Sequence, residues 1–269
     1  MQRAATTPWA TDSAPAISAA TRALATIQLL VSARLQAWTR DRWLGFWWWL
    51  LEPLSLTVGY YVVVKALKGT PSQSLLFLAS ALLPWSWFTA STSLAQQSLV
   101  RNSAVLKALA TNYAYFPAAE FLAATVRFLP ALGVWALLLA YEQTPLSSAF
   151  LWIPLVLLVQ AAFSLAISLH LALLQVRVPD AAQIWNVVIR FWFLLSPGLY
   201  EVNHAPAALH GWLAWNPFTP LFESYRTILV RGEAPSLAPL ALLSLASCII
   251  AAVGYWRLSR AKGRLPLWL

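Results

Sequence analysis

Charge is scarce in this chain of 269 residues: Asp, Glu, Lys and Arg make up 10%, against 60% hydrophobic residues, at a mean hydropathy of +0.64. That balance excludes an ordinary soluble globule. Acids are scarcer than bases, 9 against 18. Asp12, Asp41, Glu52, Glu120, Glu142, Asp180, Glu201, Glu223 and Glu233 are never paired closely in sequence. A single cysteine, Cys248 in an apolar run, leaves neither a disulfide framework nor a thiolate metal site, and the 3 histidines His170, His204 and His210 are scattered. No metal site is expected. There is no Gly-x-x-x-x-Gly-Lys-Ser/Thr run to cradle a nucleotide, no Gly-x-Ser-x-Gly elbow and no His-Glu-x-x-His. The chain is therefore not expected to be an enzyme, nor to hold a cofactor of its own. Its first twenty residues have no apolar stretch, so no cleaved leader is expected.

What is present is apolar length. Six runs come near the ~20 residues that cross ~30 Å of hydrocarbon: about Trp43 to Val64, Ser74 to Leu94, Ala114 to Leu139, Phe150 to Leu174, Ala181 to Leu199 and Leu237 to Trp256. Before them, Ile17, Leu24, Ile27, Val31, Leu35 and Trp38 recur at helical spacing, with Arg22, Gln28, Arg34 and Gln36 off the stripe. This reads as a helix on the membrane surface, or packed against protein. Between the fifth and sixth runs, 200–235 is broken by Pro206, Gly211, Pro217 and Pro220. It suits short helices that enter the membrane and return.

Most of the 18 basic residues, from Arg3, Arg22, Arg34, Arg40 and Arg42 to Arg257 and Arg260, fall on one side of such an arrangement. Lys65, Lys68, Arg226 and Arg231 fall on the other, while Arg127 and Arg190 lie within runs. The positive-inside rule then places both termini in the cytoplasm and makes the net charge of +9 a topology signal. Nucleic acid is not an expected partner. The expected fold is an all-α membrane protein in three parts: a cytoplasmic arm and interface helix over 1–42, a six-span domain over 43–256, and a cytoplasmic tail over 257–269.

Three groups of residues, in this order among the spans, are similar to one family. They are Arg-Asp-Arg-Trp-Leu-Gly-Phe-Trp-Trp-Trp-Leu-Leu-Glu-Pro at 40–53; Leu-Leu-Pro-Trp at 82–85 with Ser98 to Lys107 and Tyr-Phe-Pro at 115–117; and Leu-Ser-Pro-Gly-Leu-Tyr at 195–200 with Trp-Asn-Pro-Phe-Thr-Pro at 215–220. The chain resembles, from about Thr21 to Arg260, the transmembrane permease subunit of type-2 ABC exporters, the branch that exports O-antigen, capsule and teichoic-acid polysaccharides. The resemblance implies a homodimer in the bacterial inner membrane, seated on a separate cytoplasmic ABC ATPase that binds ATP and Mg, and moving a lipid-linked polysaccharide among membrane lipids. It also implies a coupling helix between spans two and three, at about 97–112, with Arg101, Asn102 and Lys107 as contacts to the ATPase. Here Ala108 to Ala114 separate Lys107 from Tyr-Phe-Pro, so a longer coupling helix is expected.

Within that frame, Glu52 shares a helical face with Trp48, Ser55 and Gly59, and this face is expected to look inward. Glu52 either walls the export path or dimer seam, or is buried for packing or paired with Arg42. Gln183, Asn186 and Arg190 repeat the pattern on the fifth span, where Arg190 either pairs with Glu52 or Glu120 or meets a lipid pyrophosphate. Among 16 tryptophans, those at span ends form an expected interfacial belt. Trp48, Tyr60, Trp87, Phe88, Trp192 and Tyr200 are the candidates for stacking on sugar rings, packing being the alternative for each. Glu223 with Arg226 is expected as a local pair, and Arg177 with Asp180 as a brace of the turn at Pro179. Two other readings of the chain stand beside polysaccharide export: a type-2 exporter of small lipophilic cargo, and a membrane-embedded glycosyl- or acyltransferase.

Overall fold

A computed structural model describes residues 19–39, 47–68, 74–108 and 111–261. All regular elements among them are helical. In chain order they are α1 (Ala19–Thr39), α2 (Trp48–Lys68), α3 (Leu75–Gln96), α4 (Ser98–Arg101), α5 (Ser103–Ala108), α6 (Tyr115–Tyr141), α7 (Ile153–Arg177), α8 (Ala181–Leu194), α9 (Ala207–Trp215), α10 (Phe218–Arg226) and α11 (Leu237–Arg260). The expected 1–18, the basic residues Arg40 and Arg42 and the tail beyond 261 lie outside the described residues.

Among the described residues, four helices are long and apolar enough to cross a membrane: Leu75–Gln96, Tyr115–Tyr141, Ser148–Arg177 and Leu237–Arg260. The first expected span forms a helix of 21 residues, α2, which carries Glu52, Lys65 and Lys68. The fifth is cut short. α8 has 14 residues, about 21 Å at ~1.5 Å per residue, and the chain then turns at Ser196, Pro197 and Gly198. Pro197 cannot extend a helical hydrogen-bond ladder, so the expected run to Leu199 stops at Leu194. The coupling segment also differs from expectation: two short helices, α4 and α5, meet at Asn102, whose side chain donates to the Ser98 carbonyl at 2.7 Å. No single long helix fills 97–112.

α3 is the hub. It packs against α2, α6, α7, α8 and α10, and it is buried without a break from Leu76 to Trp85 and in most turns from there to Gln96. Its first turn is doubly capped: Ser74 Oγ accepts from Phe77 N at 3.1 Å, and the Glu142 carboxylate, from the end of α6, accepts from Leu76 N at 2.9 Å. Pro84 sits inside α3, and buried Gln160 of α7 donates to the Pro84 carbonyl at 2.7 Å. That bond ties α7 to α3 at the proline's own carbonyl; the carbonyl left without its amide partner by Pro84 is that of Ser80, one turn earlier.

α11 closes against α7 at Gly254, where an added Cβ would lie 2.9 Å from both Leu169 and His170. Only glycine permits that approach. His170 bonds its own helix at the Ala166 carbonyl, 2.9 Å. α1 packs on α6, with Ile27, Val31, Leu35 and Trp38 half-buried as expected. Leu24 is exposed, and Arg34, expected off the stripe, is turned inward. The turn at Pro179 is braced by Gln175, which donates to the Pro179 carbonyl at 2.8 Å; Arg177 and Asp180 are exposed and make no ion pair among the described residues.

Candidate functional site

α2 turns Trp49, Pro53 and Thr57 into the subunit at spacings of four. Thr57 Oγ1 donates back to the Pro53 carbonyl at 2.9 Å, so the residue spends its polarity locally. Trp48, Glu52, Ser55 and Gly59 are exposed on the opposite side. The polar stripe read from the sequence exists and is exposed, with Glu52 at the edge that borders α6. Glu52 is ion-paired with Arg127 of α6. Its partner among the described residues is not Arg190, and Arg42 lies outside them. The signal was in the sequence: a mid-span arginine needs a carboxylate, and Glu52 and Glu120 are the acids within reach of the spans.

α8 is divided in the same way. Trp185, Ile189 and Phe193 point inward at spacings of four, while Gln183, Asn186 and Arg190 are exposed together with Ile184, Val187, Phe191 and Leu194. Arg190 makes no ion pair among the described residues, so the expected pairing with Glu52 or Glu120 is not formed within the subunit. Two outward faces thus carry polar groups in helices that are otherwise apolar.

The aromatic candidates separate. Trp48 is exposed on the outer face of α2. Trp87 is buried, stacked on Phe128 with centroids 4.8 Å apart, and donates from Nε1 to Thr125 Oγ1 at 3.2 Å. Phe88 is fully buried between Phe163, stacked at 5.5 Å, and Phe218, edge-on at 4.8 Å. Both rings have their faces taken by neighbours. Trp192 is half-buried beside the same cluster, 5.8 Å from Phe88 and 5.4 Å from Phe218. Tyr60 is half-buried and edge-on to Phe193 at 6.2 Å. Tyr200 sits at the end of the turn after α8, half-buried.

That turn is held by several side-chain bonds. Asn216, buried, donates from Nδ2 to Ser196 Oγ at 2.8 Å, and its Oδ1 accepts from Trp192 Nε1 and from Phe218 N, both at 3.1 Å. Ser196 Oγ donates in turn to the Trp192 carbonyl at 2.6 Å. Arg226, 1% exposed, reaches across from α10. It donates to the carbonyls of Tyr200 at 3.0 Å and Gly198 at 2.7 Å, and its guanidinium lies 4.0 Å from the centroid of Phe77. The expected Glu223 partner is absent, because Glu223 pairs instead with Arg231 at 2.8 Å. Tyr225 OH donates to Gln160 Oε1 at 2.9 Å, which ties α10 through Gln160 to Pro84. Trp85 of Leu-Leu-Pro-Trp packs on Phe218 at 4.6 Å. The sequence groups at 82–85, 195–200 and 215–220, far apart along the chain, are therefore one packed knot.

Gly198 is needed in that knot for space. A Cβ there would fall 2.6 Å from the Phe193 ring, and Phe193 is itself wedged against Trp85 at 5.1 Å. Gly198→Ala is expected to cost about 1–3 kcal/mol by overpacking, read as a lowered unfolding temperature of the purified protein.

At the other end of the bundle, Glu120 of α6 has a side chain 9% exposed and binds two arginines: Arg34 Nε of α1 at 2.8 Å and Arg101 Nη1 of α4 at 3.2 Å. Burial, then the neighbouring Arg34, lowers the pKa of Arg101 from its ordinary value, and Glu120 opposes both. Of the three residues expected to touch an ATPase, Arg101 is thus engaged inside the subunit and Asn102 bonds its own backbone. Lys107 is exposed at the end of α5, next to exposed Ala104 and Val105.

Comparison with known proteins gives the same direction. The chain is 28% identical over 225 residues to the O-antigen export system permease protein RfbA of Myxococcus xanthus, covering 82% of this chain and 86% of that protein. It is 24% identical over 225 residues to an RfbA permease of Klebsiella pneumoniae, with the same coverage, and 26% identical over 192 residues to another from that organism, covering 70% and 73%. The family model described as ABC-2 type transporter matches residues 25–230, a stretch that takes in α2 to α10 and the knot that joins them, so this multi-helix membrane chain belongs to the ABC-2 type transporter family.

Proposed function

We propose that this chain is the membrane subunit of an ATP-driven exporter that moves a lipid-linked polysaccharide of the O-antigen kind across the bacterial inner membrane. It would work as a homodimer, seated on a separate ATPase that binds ATP and Mg. The spans would be α2, α3, α6, α7, α8 with the turn that follows it, and α11. α4 and α5 would face the ATPase, α9 and α10 would dip into the membrane from the far side, and both termini would lie in the cytoplasm. The relatives that the chain resembles over most of its length are named for O-antigen export, which supports the choice of cargo.

The observation that carries the homodimer is the pair of outward polar faces. Arg190, Asn186 and Gln183 on α8 are costly against lipid tails, more so than Glu52 and Ser55 on α2, which already bond Arg127 and the Glu52 carbonyl. A second copy would cover them, and the seam so formed would offer a glycan polar side chains with Trp48 beside them. Purification of the tagged chain from its native membranes is expected to recover a nucleotide-binding subunit, and deletion of the gene to strip the cell of its surface polysaccharide. If no ATPase is recovered and the glycan persists, the reading is wrong. Transferase activity of the isolated chain on a lipid carrier would favour the enzyme reading instead.

A further inference from the structure

The knot on one side and the Glu120 cluster on the other leave one set of contacts unused. Arg34 does two things at once: it pairs with Glu120 at 2.8 Å, and its guanidinium lies 5.2 Å from the ring of Trp38, one turn further along α1. Arg127, on the same helix as Glu120 and seven residues on, lies 5.4 Å from that same indole. Arg127 is also the partner of Glu52. A continuous series of charged contacts therefore starts at Arg101 in α4, passes Glu120, Arg34, Trp38 and Arg127, and ends at Glu52 on the exposed face of α2.

Two features make this series responsive and not merely adhesive. Glu120 is one acid shared by two arginines, so withdrawing Arg101 leaves Arg34 its sole counter-ion and shifts the balance between the carboxylate and the indole for Arg34. Trp38 holds two like charges, Arg34 and Arg127, which repel each other and share its ring; a change in the place of one changes the field at the other. The last member, Glu52, has a half-exposed side chain. Its position is therefore free to follow Arg127.

We propose that Arg34, Trp38 and Arg127 are positioning residues that transmit the placement of Arg101 in the coupling segment to Glu52 on the outer face of α2, with α1 as the bridge. This rests on the exporter reading, in which α4 and α5 meet the ATPase and α2 lines the seam. α1 is then a working part of the coupling, not an anchor alone.

The test uses the complex purified with its nucleotide-binding subunit. Cys248, exposed, is the single cysteine of the chain, so Cys248→Ser with Ser55→Cys places one thiol a turn from Glu52. Its labelling rate by a water-soluble maleimide is measured with and without ATP and vanadate. Nucleotide is expected to change that rate in the parent. Trp38→Leu is expected to abolish most of the change, about threefold or more as suits the loss of a cation–π contact, while ATP hydrolysis continues. Trp38→Phe, which keeps an aromatic face, should retain it. Arg127→Lys, which keeps charge but loses the flat guanidinium, should lose it and serves if Trp38→Leu does not assemble. A nucleotide effect that survives in Trp38→Leu or Arg127→Lys overturns the relay alone, as does its equal loss in Trp38→Leu and Trp38→Phe, since packing would then explain both. No nucleotide effect in the parent overturns the relay alone, since the exporter reading stands or falls with recovery of the ATPase and loss of the surface glycan.

Discussion

Arg226→Met is expected to destabilise the protein by about 2–4 kcal/mol and to abolish transport, because the two carbonyls that Arg226 holds, buried at Gly198 and part-buried at Tyr200, lose their donor. The buried guanidinium joins α10 to the turn after α8 at Gly198 and Tyr200 and covers the face of Phe77 on α3. Each orphaned carbonyl costs ~1–3 kcal/mol, and the lost cation–π contact adds to that. Against this, methionine no longer carries a charge into the interior, a saving that keeps the net below the sum. Arg226→Lys separates the contributions. An ammonium can meet one of the two carbonyls but cannot span both while lying flat on a ring. It is expected to recover less than half of the lost stability. Unfolding temperatures of the purified variants, alongside export by cells that carry them, check both statements. An Arg226→Met protein as stable as the parent would show that the turn holds itself and that the guanidinium is incidental.

Arg226 also marks where the sequence misleads. Glu223 stands three residues before it, the spacing of a helical ion pair, and a sequence reading assigns the two to each other. The π-helical turn over Thr227–Arg231 brings Arg231 to Glu223 instead and frees Arg226 to point at the turn after α8. Nothing local encodes that choice. The helices themselves were legible because apolar runs of the right length have few alternatives in a chain this poor in charge. The end of α8 was missed by hydropathy alone, since Leu195 and Leu199 are as apolar as the residues before them, although Pro197 and Gly198 carried the signal of a break. The polar stripe on α2 was read from spacing, and its residues do share a face. Its direction depended on whether Trp49 or Trp48 packs inward, and two tryptophans in succession have no preference that sequence can express. Arg127 was visible as a mid-span cation, but its partner required knowing that α2 and α6 are neighbours. The resemblance-bearing groups at 82–85, 195–200 and 215–220 gave the order of elements, while their convergence through Asn216, Gln160 and Trp85 is a property of the folded chain.

Replacing Glu120 carries the largest expected cost at the opposite end of the bundle. Its carboxylate is the counter-ion of Arg34 and Arg101, and Glu120→Leu would leave both guanidinium groups beside an apolar side chain in a site that is already 9% exposed. Breaking a buried pair by removing one partner costs ~3–5 kcal/mol. The arginines are themselves 22% and 37% exposed, so both can turn towards water, which places the expected loss near the lower end of that range. The two bonds are not equal. Arg34 is nearer, at 2.8 Å against 3.2 Å, and less exposed, so solvent screens it less. A double-mutant cycle of Glu120→Gln with Arg34→Gln should therefore give a larger coupling energy than the cycle with Arg101→Gln, by about twofold, as expected for a more buried pair. Because Arg34 is the link to α1, Arg34→Gln should also expose the Trp38 face of α1 to proteolysis at its flanks, and Arg101→Gln should not. If the cycles come out equal, or reversed, Glu120 belongs chiefly to α4, and α1 is held by its apolar face, through Ile27, Val31 and Leu35, and not by its charge.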